Sequence, residues 1–178
     1  AAVWGTAPHI AASSLFDVDA MPRTDHRSAH NPIANTYRTG DGRFVALVML
    51  ESDRFWAPLV ELIGRAELAA DPRFADAAAR SANSRACIAE LDAIFASRTA
   101  DEWRELLGQQ RGVWAVVQSP RETRCDTQVL ENGYVRSMDV GDEAALTVAM
   151  PPVQFNGVAP NPCPAPELGA DTDRVLLE

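Results

Sequence analysis

Glu51 carries the clearest indication of chemistry in this sequence of 178 residues. It directly follows an apolar run, FVALVML, that extends from Phe44 to Leu50. A carboxylate at the end of a buried strand has the rigid support that a catalytic acid or base requires. The alternative is structural, because the free N–H groups at the start of the next helix would stabilise a carboxylate there. Glu51 is therefore a candidate catalytic residue with a helix-start alternative.

Arg38 and Arg43 flank the turn sequence TGDG. A guanidinium group is planar and can donate two parallel hydrogen bonds to a phosphate. Arginines on both sides of one turn could therefore bind a phosphorylated substrate. The alternative is that both are ordinary solvated surface residues. We interpret them as candidate substrate-binding residues.

Other reactive side chains give weaker indications. His26 and His30 have the i, i+4 spacing that could hold a metal on a helix, but Pro22 and Pro32 flank them and make a regular helix unfavourable. We therefore predict a loop there and no metal. The serines lack the glycine-rich context that exposes a nucleophile, so the sequence does not indicate a hydrolase.

Composition excludes several classes of protein. The net charge of −9 and the pI near 4.8 oppose nucleic-acid binding, which requires a basic surface. All 16 basic residues are arginine, which excludes a Schiff-base mechanism. No apolar run approaches the ~20 residues that span a bilayer. Cys87, Cys125 and Cys163 are too widely spaced for a zinc knuckle and are odd in number, as expected for reduced thiols in a cytoplasmic protein.

The pattern around these residues predicts alternating strands and helices. Tyr37 to Thr39 predicts a strand, followed by a turn whose Gly40 and Gly42 can adopt positive φ. The run that precedes Glu51 predicts a strand buried on both faces. Ser52 is expected to cap a helix that ends at Gly64, with a kink or a later start at Pro58.

Further along the chain, capping signals and apolar periodicity predict the remaining elements. Trp56, Trp103 and Trp114 fall on apolar faces or within a strand, so we assign them to the core. The predicted elements are a helix opened by Asp71-Pro72 and running to Arg80, a helix over 83–97, a capping box at Thr99 to Glu102, a buried strand over 113–117, a helix start at Ser119-Pro120, a hairpin of 134–140 with 145–150, and a last helix near Asp171.

Several segments occur in an order that resembles a known family. They read NPIANTYRTGDGRFVAL, DPRFADAAARSANS, WRELL, GVWAVVQSP, ENGYV, PPVQF and APELGADTDRVLLE. From about Met21 to the last residue, the chain resembles the later part of a class III CoA-transferase. This family is also named after carnitine dehydratase and bile-acid-inducible protein F, and it includes the α-methylacyl-CoA racemases.

The resemblance implies an α/β fold and a division of the chain into three parts. Residues 1–30 would be a linker or helix remnant, 31–130 the small α/β domain, and 131–178 a hairpin and a C-terminal segment that returns to a large domain. That large domain, with its aspartate nucleophile, would lie outside this chain. The chain begins without Met and ends without a helix cap, which also suggests part of a longer protein. Family members form interlocked homodimers, so a second copy or the missing half is the expected partner.

The resemblance also implies a function. The complete protein would move CoA from an acyl-CoA to a carboxylate acceptor through an aspartyl-CoA thioester, with the CoA thioester as substrate and no metal. One alternative is an α-methylacyl-CoA racemase, because in that branch a glutamate stands at the position of Glu51. Another is a structural or interaction fragment without catalytic activity. Under each of these hypotheses, this chain on its own is expected to transfer no CoA.

Overall fold

The computed structural model describes residues 2–17, 19, 25–140, 145–151, 153, 156–158 and 160–177. Its contacts divide the chain into two compact units, Ala1–Val117 and Gln118–Glu178. Both contain helices and strands, which confirms the mixed α/β class. The first unit contains α1 (Ala2–Phe16), a 3₁₀ turn (His26–Ser28), β1 (Thr36–Arg38), β2 (Phe44–Leu47), α2 (Ser52–Leu62), α3 (Glu67–Ala70), α4 (Ala77–Ala82), α5 (Ser84–Phe95), α6 (Ala100–Leu107) and β3 (Trp114–Val116).

The strand, turn and second strand predicted from Tyr37 onward form a hairpin of β1 and β2. β3 extends it into an antiparallel sheet in the order β1-β2-β3. Gly42 has φ +81°, as the turn requires, whereas Gly40 does not adopt positive φ. Gly40 is instead needed for close packing, because a Cβ there would lie 2.7 Å from the carbonyl oxygen of Ala96. The two glycines of the turn therefore serve different purposes.

The prediction that the run preceding Glu51 is a strand buried on both faces is wrong. The strand is only four residues long, and burial alternates from Phe44 to Leu50. Val45 and Leu47 point into the core, whereas Phe44 is 44% exposed and Val48 is 47% exposed. The predicted second buried strand behaves in the same way, with Val116 buried and its neighbours half-buried or exposed. An apolar run shows that a strand is hydrophobic, but each face of the strand is buried only if other elements pack against that face of the sheet.

Helices α5 and α6 pack against the sheet, α5 on β1 and α6 on β2 and β3. Tyr37 of β1 stacks on Phe95 with ring centroids 4.9 Å apart, and Phe95 meets Trp103 at 4.7 Å. Trp56 and Trp103 are both buried, which confirms their assignment to the core, while Trp114 is half-buried against it. The helix predicted over 83–97 is also confirmed as α5, and its buried residues include Cys87 and Leu91.

The capping signals in the sequence are confirmed at one of these helices and not at the others. Thr99 and Glu102 form the predicted capping box at α6. The helix expected at Asp71-Pro72 begins instead at Ala77, and Asp76 caps it through the amide of Ala79. Asp71 accepts a hydrogen bond from the amide of Arg73, so it forms a local turn and does not start a helix. α2 begins directly after Glu51 and continues through Pro58, so the later start is also not observed.

The second unit is built from short elements. A helix starts at Ser119-Pro120 as predicted, with Ser119 and Glu122 forming a capping box. β4 pairs with β5 as the expected antiparallel hairpin. The turn predicted between these two strands lies outside the described residues. None of the residues described in this unit is buried. Its elements are α7 (Pro120–Thr123), α8 (Thr127–Glu131), β4 (Val135–Asp139), β5 (Ala145–Ala149) and α9 (Thr172–Leu177), the last being the predicted terminal helix.

Among the helices that these ranges contain, none combines the length and apolarity needed to cross a bilayer.

Candidate functional site

Glu51 lies between the extended segment after β2 and the first turn of α2. The amide of Val48 donates to Val113 and that of Met49 donates to Ile33, both at 2.9 Å, which fixes this segment. Glu51 occupies the N-cap position, but its side chain makes no capping hydrogen bond. Its carboxylate instead accepts from Arg54 at 2.7 Å, and the side chain is 65% exposed. The structure thus places a solvent-accessible carboxylate at a fixed point of the backbone.

Ser52 does not cap α2 as predicted, because its hydroxyl accepts a hydrogen bond from Nε of Arg80 at 3.1 Å. Arg80 is only 1% exposed and also donates to the carbonyl of Phe74 at 2.7 Å and to the carboxylate of Asp53. Its guanidinium lies 5.1 Å from the centre of the Trp56 ring.

Arg80 therefore fixes the first turn of α2, and with it the backbone that carries Glu51. Sequence reasoning missed this residue. The available signal was one arginine within the alanine-rich segment AAARSA, and its partners are distant in sequence.

Arg38 is exposed at the end of β1, opposite Phe44 in the sheet register. A Cβ at Gly42 would lie 3.3 Å from Nη2 of Arg38, so the missing side chain leaves room for the guanidinium. Among the residues that the structure describes, no carboxylate forms an ion pair with Arg38. Its charge is therefore available to a ligand.

Arg43 is placed differently. It is half-buried, and its Nη1 lies 4.0 Å from a carboxylate oxygen of Asp101 at the start of α6. Asp101 also pairs with Arg104. The charge of Arg43 is thus partly directed toward protein groups.

A cavity of about 470 Å³ opens beside Arg38. His26 lies on its wall, with Nε2 2.9 Å from the Asp92 carboxylate and Nδ1 3.1 Å from Oδ1 of Asn35. The polar character of the lining suits a polar ligand better than an acyl chain. The lining residues are His26, Arg27, Asn35, Thr36, Arg38, Phe44 and Asp92.

His26 and His30 do not converge on one point. His26 belongs to a short 3₁₀ turn and contacts Asp92, whereas His30 is exposed and contacts the hydroxyl of Ser81. The loop predicted there is largely confirmed. Within the described ranges, no group of three or more histidine, cysteine or acidic side chains could hold a metal ion.

The cysteines are all free thiols. Burial raises the pKa of Cys87 to about 12, so this thiol stays protonated and is not a nucleophile at neutral pH. Cys125 and Cys163 are exposed.

The predicted site residues lie at two separate positions in the fold. Arg38 and Arg43 lie at the hairpin, next to the first residue of β2, whereas Glu51 lies four residues beyond its last residue, Leu47. The structure of this chain therefore does not bring all three into one site.

Comparison with known proteins identifies relatives. A family model described as CoA-transferase family III matches residues 1–172. The probable fatty acyl-CoA transferase Rv3272 of Mycobacterium tuberculosis is 33% identical over 135 residues, covering 74% of this chain and 33% of that protein. The (R)-2-hydroxy-4-methylpentanoate CoA-transferase of Clostridioides difficile is 24% identical over 150 residues, covering 83% of this chain and 37% of that protein.

Solved structures of related proteins also align with this chain. A mutant of Rv3272 aligns with a TM-score of 0.65 and 26% identity, over 98% of this chain and 44% of that chain. A CAIB/BAIF family protein from Brucella suis aligns with a TM-score of 0.72 and 21% identity, over 97% of this chain and 44% of that chain. These alignments confirm the fold that the sequence resemblance implied. The chain spans less than half the length of each of these relatives.

Proposed function

Since this chain belongs to CoA-transferase family III, we propose that it is the later portion of an enzyme that moves CoA from an acyl-CoA to a carboxylate acceptor. The observation that carries the proposal is the family match, which extends over residues 1–172. The curated relatives bear names of CoA-transferases, which supports the reaction class.

The proposed mechanism uses a nucleophile that this chain does not supply. In the resembling enzymes an aspartate attacks the thioester carbonyl, which gives a mixed anhydride and releases the CoA thiolate. The thiolate then attacks the aspartyl carbonyl, so the donor acid leaves and an aspartyl-CoA thioester remains. Attack by the acceptor carboxylate and return of the thiolate complete the transfer. Covalent catalysis of this kind divides one difficult step into easier ones.

This chain would supply the domain that closes over the acyl end of the thioester. We assign that role to residues 31–130, with 1–30 as a connection and 131–178 as a segment that returns to the large domain. Arg38 is proposed to contact a CoA phosphate, because it is exposed, charged and unpaired among the described residues. Arg43 is the weaker candidate, since Asp101 lies 4.0 Å away.

The racemase alternative rests on Glu51. Its carboxylate is exposed, makes no capping hydrogen bond and is paired only with the exposed Arg54 among the described residues, so a substrate can reach it. A racemase would remove and return the α-proton of a 2-methylacyl-CoA without any acceptor acid. Dimer formation and a cytoplasmic location remain predictions.

The test uses the full-length protein that contains this chain. It would be incubated with acyl-CoA donors and free carboxylates, and the CoA esters would be separated. We expect a new acyl-CoA to form only when an acceptor acid is present. The isolated chain of 178 residues should form none, because loss of a covalent nucleophile costs many orders of magnitude in rate.

A parallel reaction in deuterated water separates the two activities. Deuterium at the α-carbon without any acceptor acid, together with no CoA transfer, would replace the proposal with the racemase. Transfer by the isolated chain that depends on one of its own aspartates would overturn the assignment of the nucleophile.

A further inference from the structure

A second cavity, of about 560 Å³, lies along the exposed side of α2, and its lining includes none of Arg38, Arg43 and Glu51. Its volume falls within the range of roughly 300 to 1,000 Å³ that is typical of small-molecule sites. α2 contributes one wall, and the loop between α6 and β3 contributes the other. The lining residues are Arg54, Phe55, Pro58, Glu61, Leu62, Gln109, Gln110 and Arg111.

The floor of this cavity is apolar. Phe55 and Leu62 are half-buried and pack against the hydrophobic core, while Pro58 lies between them on the exposed side of the helix. Residues 55, 58 and 62 follow the three- and four-residue spacing that places side chains on one helical face. An aliphatic or aromatic group that lies along this face would therefore remove part of its apolar surface from water.

The rim is polar, and its two arginines differ in what they already bind. Arg54 is held by the carboxylate of Glu51 at 2.7 Å. Arg111 is exposed, and within the part of the chain that the structure describes its side chain has neither an ion pair nor a hydrogen bond. Gln110 is occupied by the backbone of Gly112. Arg111 is therefore the arginine of the lining that can pair with a bound anion. Glu61 is the acidic residue of the lining, and its negative charge would repel that anion.

We propose that this cavity binds a carboxylate with an apolar remainder, such as a medium-chain fatty acid, with its carboxylate on Arg111 and its chain on Phe55, Pro58 and Leu62. A guanidinium forms a charge-assisted pair with a carboxylate, and the floor supplies the apolar contact. The site would serve the acceptor acid or the departing donor acid. Only that role depends on the proposed function, because binding is a property of this cavity alone.

The test is an NMR titration of the chain of 178 residues with octanoate and with octan-1-ol. Octanoate should shift the amide signals of Phe55, Leu62 and Gln109. Arg111→Gln should weaken octanoate binding about tenfold, which corresponds to ~1.4 kcal/mol, and should leave octanol binding unchanged. Arg85→Gln is the matched control, because Arg85 is exposed on α5 and does not line the cavity.

Two further variants test the floor and the opposing charge. Pro58→Glu places an anion on the apolar floor and should abolish binding of both ligands. It removes a proline from a helix interior, so it does not threaten folding. Glu61→Gln should strengthen octanoate binding, because it removes a negative charge from the rim.

Equal effects of Arg111→Gln and Arg85→Gln would overturn the proposal, as would octanoate shifts confined to another part of the chain or no shifts up to its solubility limit. Failure here would leave CoA transfer by the full-length protein to be measured independently. Conversely, a full-length protein without transferase activity would not alter this binding result.

Discussion

The carboxylate of Glu51 accepts a hydrogen bond from Arg54, one helical turn ahead, and accepts no capping hydrogen bond from the amides of α2. Both partners of this pair are exposed. Exposed ion pairs contribute typically about 0 to 1 kcal/mol, and a carboxylate beside the free N–H groups of a helix start contributes about 0.3 to 1 kcal/mol, so both stabilising effects are small. A role of Glu51 in proton transfer is therefore a prediction to be tested by mutation.

Glu51→Gln in the full-length protein tests this role. If Glu51 is the base, turnover should fall by ~10²-fold or more, while the melting temperature changes little because only a surface ion pair is lost. Glu67→Gln is the matched control, since Glu67 is exposed and pairs with Arg65 in the same way. An unchanged rate, or a loss that follows stability, would remove Glu51 from the site.

Asp41 in the hairpin turn links the turn to a distant helix. Its carboxylate accepts from the hydroxyl of Thr39 and from the amide of Ala100 at the start of α6. These hydrogen bonds hold the pKa of Asp41 below its ordinary value of 3.8, and the bond from Thr39 has the largest effect. Because the folded value is the lower one, the ionised carboxylate stabilises the fold above pH 3.8, and this contribution is lost as the pH falls through the folded pKa.

Asp41→Asn should therefore lower the free energy of unfolding by a constant amount between neutral pH and about pH 5, and the difference should vanish below the folded pKa. Urea unfolding followed by the fluorescence of the buried tryptophans would measure it. Glu105→Gln changes an exposed carboxylate of α6 and provides the control. A difference that persists unchanged at the lowest pH would contradict this account.

At the scale of elements, one buried guanidinium joins three segments. Arg80 of α4 reaches Ser52 and Asp53 in the first turn of α2 and the carbonyl of Phe74 before α4. Replacing it leaves buried polar groups without their hydrogen bonds, and each such loss costs roughly 1 to 3 kcal/mol. The orientation of α2, and so of Glu51, depends on these contacts.

We expect Arg80→Met to lower the free energy of unfolding by roughly 2 to 4 kcal/mol. Urea denaturation would measure the change. Arg85→Met alters an exposed arginine on the neighbouring helix and should stay within about 0.5 kcal/mol of the original protein. Similar values for the two variants would show that Arg80 is not the structural link described here.

The sequence predicts those elements whose causes are local. The Thr99 and Ser119 capping boxes and the hairpin turn are encoded by residues within four positions of one another, and all three are present. The helix predicted to start at Asp71-Pro72 starts later, because Asp76 caps it at Ala77. Arg80 could not be predicted, because its importance arises from partners that only the tertiary structure brings together.

At the scale of the whole molecule, the hydrophobic core belongs to one unit. Every residue of the buried cluster lies between Ala29 and Val116, and the described residues of 118–177 contribute none. A two-stranded hairpin without a packed face is at best marginally stable. The two units should therefore differ in how readily their hydrogen bonds open.

Amide hydrogen exchange compares two backbone bonds of similar length. Leu47 donates to Asn35 at 2.9 Å in the first unit, and Met150 donates to Tyr134 at 2.8 Å in the second. We expect the Leu47 amide to exchange much more slowly, because it opens only with the core. Equal protection of both amides in a demonstrated monomer would contradict this expectation.

The buried thiol in α5 has a practical consequence. An alkylating reagent meets Cys125 and Cys163 at the surface, whereas Cys87 is enclosed and stays protonated. Two adducts should therefore form quickly, and a third should form only when the interior opens. The rate at which the mass of the third adduct appears would therefore measure how often the core opens. This measurement needs no engineered label.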